Sequence, residues 1–547
     1  MNRRNFIQTG VAAGAFAMTS ACRSDHSAQQ PDRGIAGSQS AFELEETTIE
    51  RLRQVMERGE YTARSITELY LKRIEELDRR GPSLYSILET NPDALRIAEQ
   101  LDKERAEKGP RGPLHGIPVL VKDNIGTNDR MTTTAGSAAM AGSICPRDSF
   151  VAQKLRDGGA ILLGKANMSE WAGMRSAGDS TAGFSGRAWD GGRGGFCKNP
   201  YFLDRSPCGS SSGSAVATSA NLCPISIGTE TDGSIILPAS MNGIVGIKPT
   251  VGLISRSMII PISHTQDTAG PMARTVRDAA ILLGVLSGMD PNDSATQANQ
   301  GHAYGDYTQF LDPDGLRGAR IGVARQFAGA DPRVDELLNA AIDEMKKAGA
   351  IVVDPADLPA LLSEPESEFE VLLYEFKADL NAYLAELGSE APMKTLREII
   401  DFNEKNKAAA PFANQKIMID SEAKGPLTEK RYLESLDTSR RLSRMEGIDL
   451  VLNKYQVSAV VAPSVGPAPL ADPVTRDYFK GTSTSPAAMA GYPSISVPMG
   501  QVYGLPVGIS FFGTAFSEPI LIRLAFAFEQ KTQHRRPPRF LPTVKLI

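Results

Sequence analysis

Ile117-Pro118-Val119-Leu120-Val121, followed at once by Lys122-Asp123-Asn124, is the stretch on which the reading of this chain turns. Five apolar residues without polar alternation fit a short strand buried on both faces. Working outward, the same kind of run recurs at Ala160 to Leu163, Cys223 to Ile227, Ala459 to Ala462, Ile495 to Pro498 and Val507 to Phe512. Between them lie segments with helical spacing: Val151 to Gly158, the small-residue stretch Ser214 to Leu222, and Leu521 to Lys531. Buried strands separated by helices predict an α/β protein with a largely parallel sheet.

Upstream of the first strand, apolar residues recur at Ile66, Leu69, Tyr70, Ile74 and Leu77. Helices therefore fill Thr47 to Leu77, with Thr62 as a cap, Ser65 in the first turn and Gly81-Pro82 as the break. Asp93 to Lys108 reads as another helix, stopped by Gly109-Pro110. Asp331 to about Asn453 is mainly helical and more charged. No repeat and no linker cuts the chain after Ala41. The domain reading is one unit over 42–547, with N-terminal helices and a helical insertion near 331–453.

The first forty residues read differently. Arg3-Arg4-Asn5-Phe6 precedes a mildly apolar run from Gly10 to Ala21, the layout of an export signal of twin-arginine type over 1–22. The run is too short to remain as a membrane span. It ends Thr19-Ser20-Ala21-Cys22, similar to a lipobox in which Thr19 replaces the usual Leu, so Cys22 is the candidate lipid anchor. Residues 23–41 are a polar tether. The expected location is the periplasm, or the cell envelope through a lipid.

The chain has 547 residues and a formal net charge of −5, which argues against a nucleic-acid partner. No pair of its five Cys forms a CxxC, and no Cys and His share ligand spacing, so neither metal nor cofactor is expected. Isolated Cys of this kind are more often small core residues.

Three Gly- and Ser-rich pieces carry candidate chemistry. Gly159 to Ala166 nearly matches a phosphate-binding loop, but Ala166 stands where Ser or Thr must hold magnesium. Gly209-Ser210-Ser211-Ser212-Gly213 matches G-x-S-x-G, yet a turn-like Asp204 to Cys208 precedes it instead of a strand. A Ser-His-Asp esterase would also need one of His264, His302 or His534, none in a catalytic context. Gly228-Thr229-Glu230-Thr231-Asp232-Gly233-Ser234 leaves a strand and packs small residues around one serine. Successive N–H groups in such a turn can converge on an anion, as an acyl-transfer enzyme requires. Taken alone, the same piece is a tight strand exit.

Taken together, these blocks resemble the amidase-signature hydrolases. Gly112 to Pro118 leading to Lys122-Asp123-Asn124, Gly164 to Trp171, Pro207 to Ser214, Gly228 to Ser234, Gly243 to Thr250, Ala490 to Pro493 and Gly504 to Gly508 stand in the family's order. The resemblance implies a large mixed, mostly parallel sheet with helices on both sides. It also implies a triad: Ser234 as nucleophile, Ser210 in a cis peptide as the bridge, and Lys122 as base. Ser211 and the N–H groups of Thr231, Asp232 and Gly233 would support the site and form the oxyanion hole. A lysine base must be neutral, and burial at the end of an apolar strand can make it so. The adjacent Asp123 would oppose this, so its side chain is expected to point elsewhere.

Glu230, Asp232, Cys208 and Ser212 depart from the common pattern. With Gln266 to Pro271 and Tyr374 to Lys377 they are similar to bacterial peptide amidases, rather than glutamyl-tRNA amidotransferase subunits or fatty-amide hydrolases. The expected substrate is a small-molecule or peptide amide, released as carboxylate and ammonia through an acyl-serine. Asp232 has two readings: a carboxylate facing the leaving group, or a brace for its loop through backbone N–H groups.

Overall fold

The computed structural model describes residues 42–176, 184–185, 194–359, 366–411, 413–472, 479 and 481–545. The export signal, the tether and Cys22 lie outside them. Leu44–Ile547 forms one compact unit. Its strands are β1 (Ile87–Thr90), β2 (Pro118–Lys122), β3 (Ile161–Ala166), β4 (Phe184–Ser185), β5 (Gly195–Phe196), β6 (Ile225–Glu230), β7 (Val245–Lys248), β8 (Thr268–Ala273), β9 (Arg320–Val323), β10 (Ile351–Val353), β11 (Ala459–Pro463), β12 (Ser494–Val502) and β13 (Leu505–Phe512). Strands β4 and β5 pair with each other. The other eleven form one sheet in the order β1-β3-β2-β6-β8-β7-β12-β13-β11-β9-β10.

The α/β class and the mixed sheet agree with the sequence reading, but the parallel share was overestimated. Two parallel triplets, β3-β2-β6 and β11-β9-β10, flank an antiparallel middle made by β8, β7, β12 and β13. The cause is that a strand covered on both faces is apolar throughout in either kind of ladder. Strands β12 and β13 are such a case: they form a hairpin closed by Tyr503-Gly504, both with positive φ (52° and 82°), the requirement of a two-residue primed turn.

Helices cover both faces of this hairpin. Gly508 N donates to Ser240 Oγ on the helix Ile236–Met241 at 2.8 Å, while the Phe511 ring meets Phe528 on the helix Glu518–Thr532 at 5.9 Å. Residues 508 and 511 differ in parity, so they point to opposite faces.

The N-terminal helices lie where their caps predict. Thr62 caps Ala63–Ile74, with Ser65 completing a reciprocal pair, and Ala94–Lys108 ends at Gly109. Part of the expected insertion belongs to the sheet instead. The helix Pro332–Lys347 is the crossover between β9 and β10, and β10 is a half-exposed three-residue edge strand. The helical layer proper begins at the helix Glu366–Glu386 and runs to Asp449–Tyr455. Among the described residues no helix is long and apolar enough to cross a membrane. The four cysteines they include are buried, as small core residues are.

Candidate active site

Strands β2 and β6 run parallel, pairing Val121 with Ile227, so their carboxyl ends share one edge of the sheet. Crevices beyond such ends are natural ligand sites. Lys122 is the last residue of β2, and the loop carrying Ser234 leaves the end of β6. The helix Ser212–Ser219 starts at the same edge, immediately after Ser210 and Ser211. Gly213 is needed there because an added Cβ would lie 2.2 Å from Ser86 O.

Lys122 is fully buried. Its Nζ lies 2.7 Å from Ser210 Oγ, 3.1 Å from Thr229 O and 2.9 Å from Thr229 Oγ1. Burial lowers its pKa to about 7, against the pull of the Asp267 and Glu230 charges. Asp123 points elsewhere, as expected: its carboxylate accepts from Thr134 Oγ1 and Gly136 N and acts on Lys165. The Gly209–Ser210 peptide is cis.

Ser211 ties the serine segments together. Its N–H donates to Ser234 O at 3.1 Å, and its hydroxyl donates to Thr229 O at 3.0 Å. The third piece is braced from three sides. Glu230 Oε2 accepts from Ile235 N and Ile236 N at 2.6 and 2.9 Å. Thr231 Oγ1 donates to Asp267 Oδ1 at 2.5 Å, and Asp232 Oδ2 accepts from Ser485 Oγ at 2.6 Å. Gly233 has φ +78°, which favours glycine. Among the described residues, the N–H groups of Thr231, Asp232 and Gly233 meet no backbone carbonyl.

The structure thus brings Lys122, Ser210, Ser211 and the Ser234 loop to one edge of the sheet. Of the two readings of Asp232 it favours the brace, made through a side-chain hydroxyl rather than backbone N–H groups. Sequence reasoning missed the supporting roles of Glu230, Asp267, Gln266 and Ser485. Only Glu230 left a local signal, as an acid preceding the start of a helix.

The competing motifs resolve structurally. Gly159 to Ala166 ends as β3, and Lys165 Nζ is buried on Ile125 O and Thr133 Oγ1 at 2.6 and 2.8 Å. No strand precedes Gly209 directly, and the Ser211 hydroxyl is spent on Thr229. His264 bonds Asp379, His302 stacks on Phe516 and His534 packs near Phe528. Among the described residues one group has the composition of a metal site: His264, Glu375 and Asp379, with ligand atoms within 4.8 Å. Its oxygens already have protein donors, since Glu375 accepts from Tyr432 Oη, Ser263 Oγ and Thr265 Oγ1.

The model of the family named Amidase matches residues 65–522. A probable amidase of Arabidopsis thaliana is 42% identical over 512 residues, covering 92% of this chain and 93% of that protein. The solved structure of native peptide amidase from Stenotrophomonas maltophilia superposes with a TM-score of 0.86 at 47% identity, covering 91% of this chain and 99% of that one. The peptide amidase PAM in complex with the competitive inhibitor chymostatin gives 0.87 at the same identity and coverage. The chain belongs to the amidase family, and it is a serine amidase of the Ser–cis-Ser–Lys kind.

Proposed function

We propose that this amidase removes ammonia from the C-terminal primary amide of peptides, with Ser234 as nucleophile, Ser210 as proton bridge and Lys122 as base. The observation that carries the assignment is the 2.7 Å contact between Lys122 Nζ and Ser210 Oγ inside a fully buried cradle. A neutral amine has one lone pair and two N–H groups. Thr229 O and Oγ1 take the two N–H groups, leaving the lone pair for the Ser210 proton. Ser210 Oγ can then accept the proton of Ser234 as that hydroxyl attacks the amide carbon. The oxyanion forms against the N–H groups of residues 231–233. The proton returns through Ser210 to the leaving nitrogen, ammonia departs, and water cleaves acyl-Ser234 by the same relay.

The substrate class rests on the 47% identity to peptide amidase and on Gln266 to Pro271 and Tyr374 to Lys377. It is tested by ammonia release across C-terminal peptide amides, plain aliphatic amides and esters. Peptide amides are expected to give the highest kcat/KM; a preference for short aliphatic amides overturns the peptide reading.

The same proposal places the enzyme outside the cytoplasm, through the signal in residues 1–22. Changing Arg3 and Arg4 to Lys should strand it in the cytoplasm, and unchanged export points to another route. Palmitate labelling that is lost in Cys22→Ala identifies the lipid anchor.

A further inference from the structure

Helix Glu366–Glu386 of the helical layer reaches the nucleophile's loop through one side chain. Glu368 Oε1 accepts from Gln266 Nε2 at 2.9 Å, and the same Nε2 lies 3.4 Å from Thr231 O. The Glu368 carboxyl also lies close enough to the Asp232 carboxyl for the two to act on each other electrostatically. Asp232 Oδ2 is occupied by the Ser485 hydroxyl, whereas its Oδ1 is buried and has no donor while both carboxyls are ionised. A buried acceptor beside a second carboxyl has one economical partner, the proton of that carboxyl.

We propose that Glu368 is a positioning residue of the oxyanion loop: as the neutral acid it donates to Asp232 Oδ1 and accepts from Gln266 Nε2, fixing residues 231 and 232 against the helical layer. This rests on the assignment of residues 231–233 to the oxyanion made above.

The charges around the pair agree. Burial and then the Asp232 charge hold the Glu368 carboxyl well above the usual carboxylate range. Asp232 itself is shared electrostatically with Lys248 and Glu230 behind the loop. On the same helix, Glu370 is paired outward with Lys424 and Arg431 at 2.7 and 2.6 Å. No cation among these contacts faces Glu368, so the Gln266 amide is the one donor among them that favours its ionised form, and two neighbouring carboxylates cannot both ionise cheaply.

The neutral acid has a close isostere, the amide of glutamine, which places a donating NH2 where the acid has its O–H and keeps the carbonyl acceptor, with one N–H to spare. Glu368→Ala should lower kcat roughly ten- to a hundredfold, with KM changing less, and Glu368→Gln should restore most of that loss. In the native enzyme, activity should fall at alkaline pH as Glu368 ionises, and the glutamine variant should lack that limb. Infrared spectra should show a protonated-carboxyl C=O band that disappears in Glu368→Gln, a readout independent of substrate and of the loop's role. Equal loss in the glutamine and alanine variants, both melting cooperatively, overturns the proposal. So does an infrared spectrum in which no acid band is lost. Should the alanine variant fail to fold, the spectra of native and glutamine proteins decide.

Discussion

Thr229 holds Lys122 with two oxygens at once, its carbonyl at 3.1 Å and its hydroxyl at 2.9 Å from Nζ. Both are acceptors and both favour the ammonium form, so they work against the burial that lowers the pKa to about 7. The base is active when neutral. kcat/KM should therefore rise with pH through about 7, far below the ordinary lysine value of about 10.4, and stay level until the alkaline fall set by Glu368. Thr229→Val removes one acceptor of the charged form, so the acidic limb should move to lower pH. A limb that moves upward, or a native limb near 10, would contradict this account of Lys122.

The triad assignment separates the serines. Ser234→Ala and Lys122→Ala should each lower kcat by about 10³-fold or more, because residues acting as one unit fail together. Ser211→Ala loses the hydroxyl on Thr229 O but no reacting atom, and about tenfold or less is expected. Turnover measured by ammonia release decides. If Ser211→Ala is inactive while Ser234→Ala turns over, the nucleophile lies in the G-x-S-x-G segment instead.

The legible and illegible parts of the site divide by distance along the chain. Lys122, Ser210 and Ser234 were readable because each sits in a local block whose strand, turn or glycine geometry is encoded within a few residues. Glu368 and Ser485 were not, since each meets Asp232 only through tertiary packing more than 100 residues away. Two segments quoted for their likeness to peptide amidases, around Gln266 and around Glu375, are in contact: Glu375 accepts from Ser263 Oγ and Thr265 Oγ1. That pairing was invisible in one sequence. In the fold, Ile351–Val353 escaped notice because a three-residue, half-exposed edge strand carries almost no periodic signal. Its absence put the crossover helix Pro332–Lys347 into the insertion.

Glu230 departs from the common family pattern, and its carboxylate serves the helix that follows the nucleophile. Glu230→Ala leaves the N–H groups of Ile235 and Ile236 without an acceptor in a buried position, at about 1–3 kcal/mol each. Thermal unfolding should show a clearly lowered Tm. Glu230→Gln keeps an oxygen for both donors and should lose much less. Equal Tm values for the alanine variant and the native protein would mean that water takes over the cap.

Gly233 separates two costs that usually arrive together. An added Cβ would lie 2.6 Å from Leu237 Cδ1, a contact that a flexible side chain can relieve. The φ of +78° is a second cost, roughly 1–2 kcal/mol for a residue with a Cβ, and moving a neighbour does not relieve it. Gly233→Ala should therefore fold with a lowered Tm. Its kcat should fall by roughly 10²-fold, because the backbone must rotate at a donor aimed at the oxyanion. Adding Leu237→Ala removes the clash and should recover part of the Tm loss without recovering kcat. If the double variant regains kcat along with Tm, the defect was steric crowding alone. Native kcat in Gly233→Ala would take residue 233 out of the oxyanion hole.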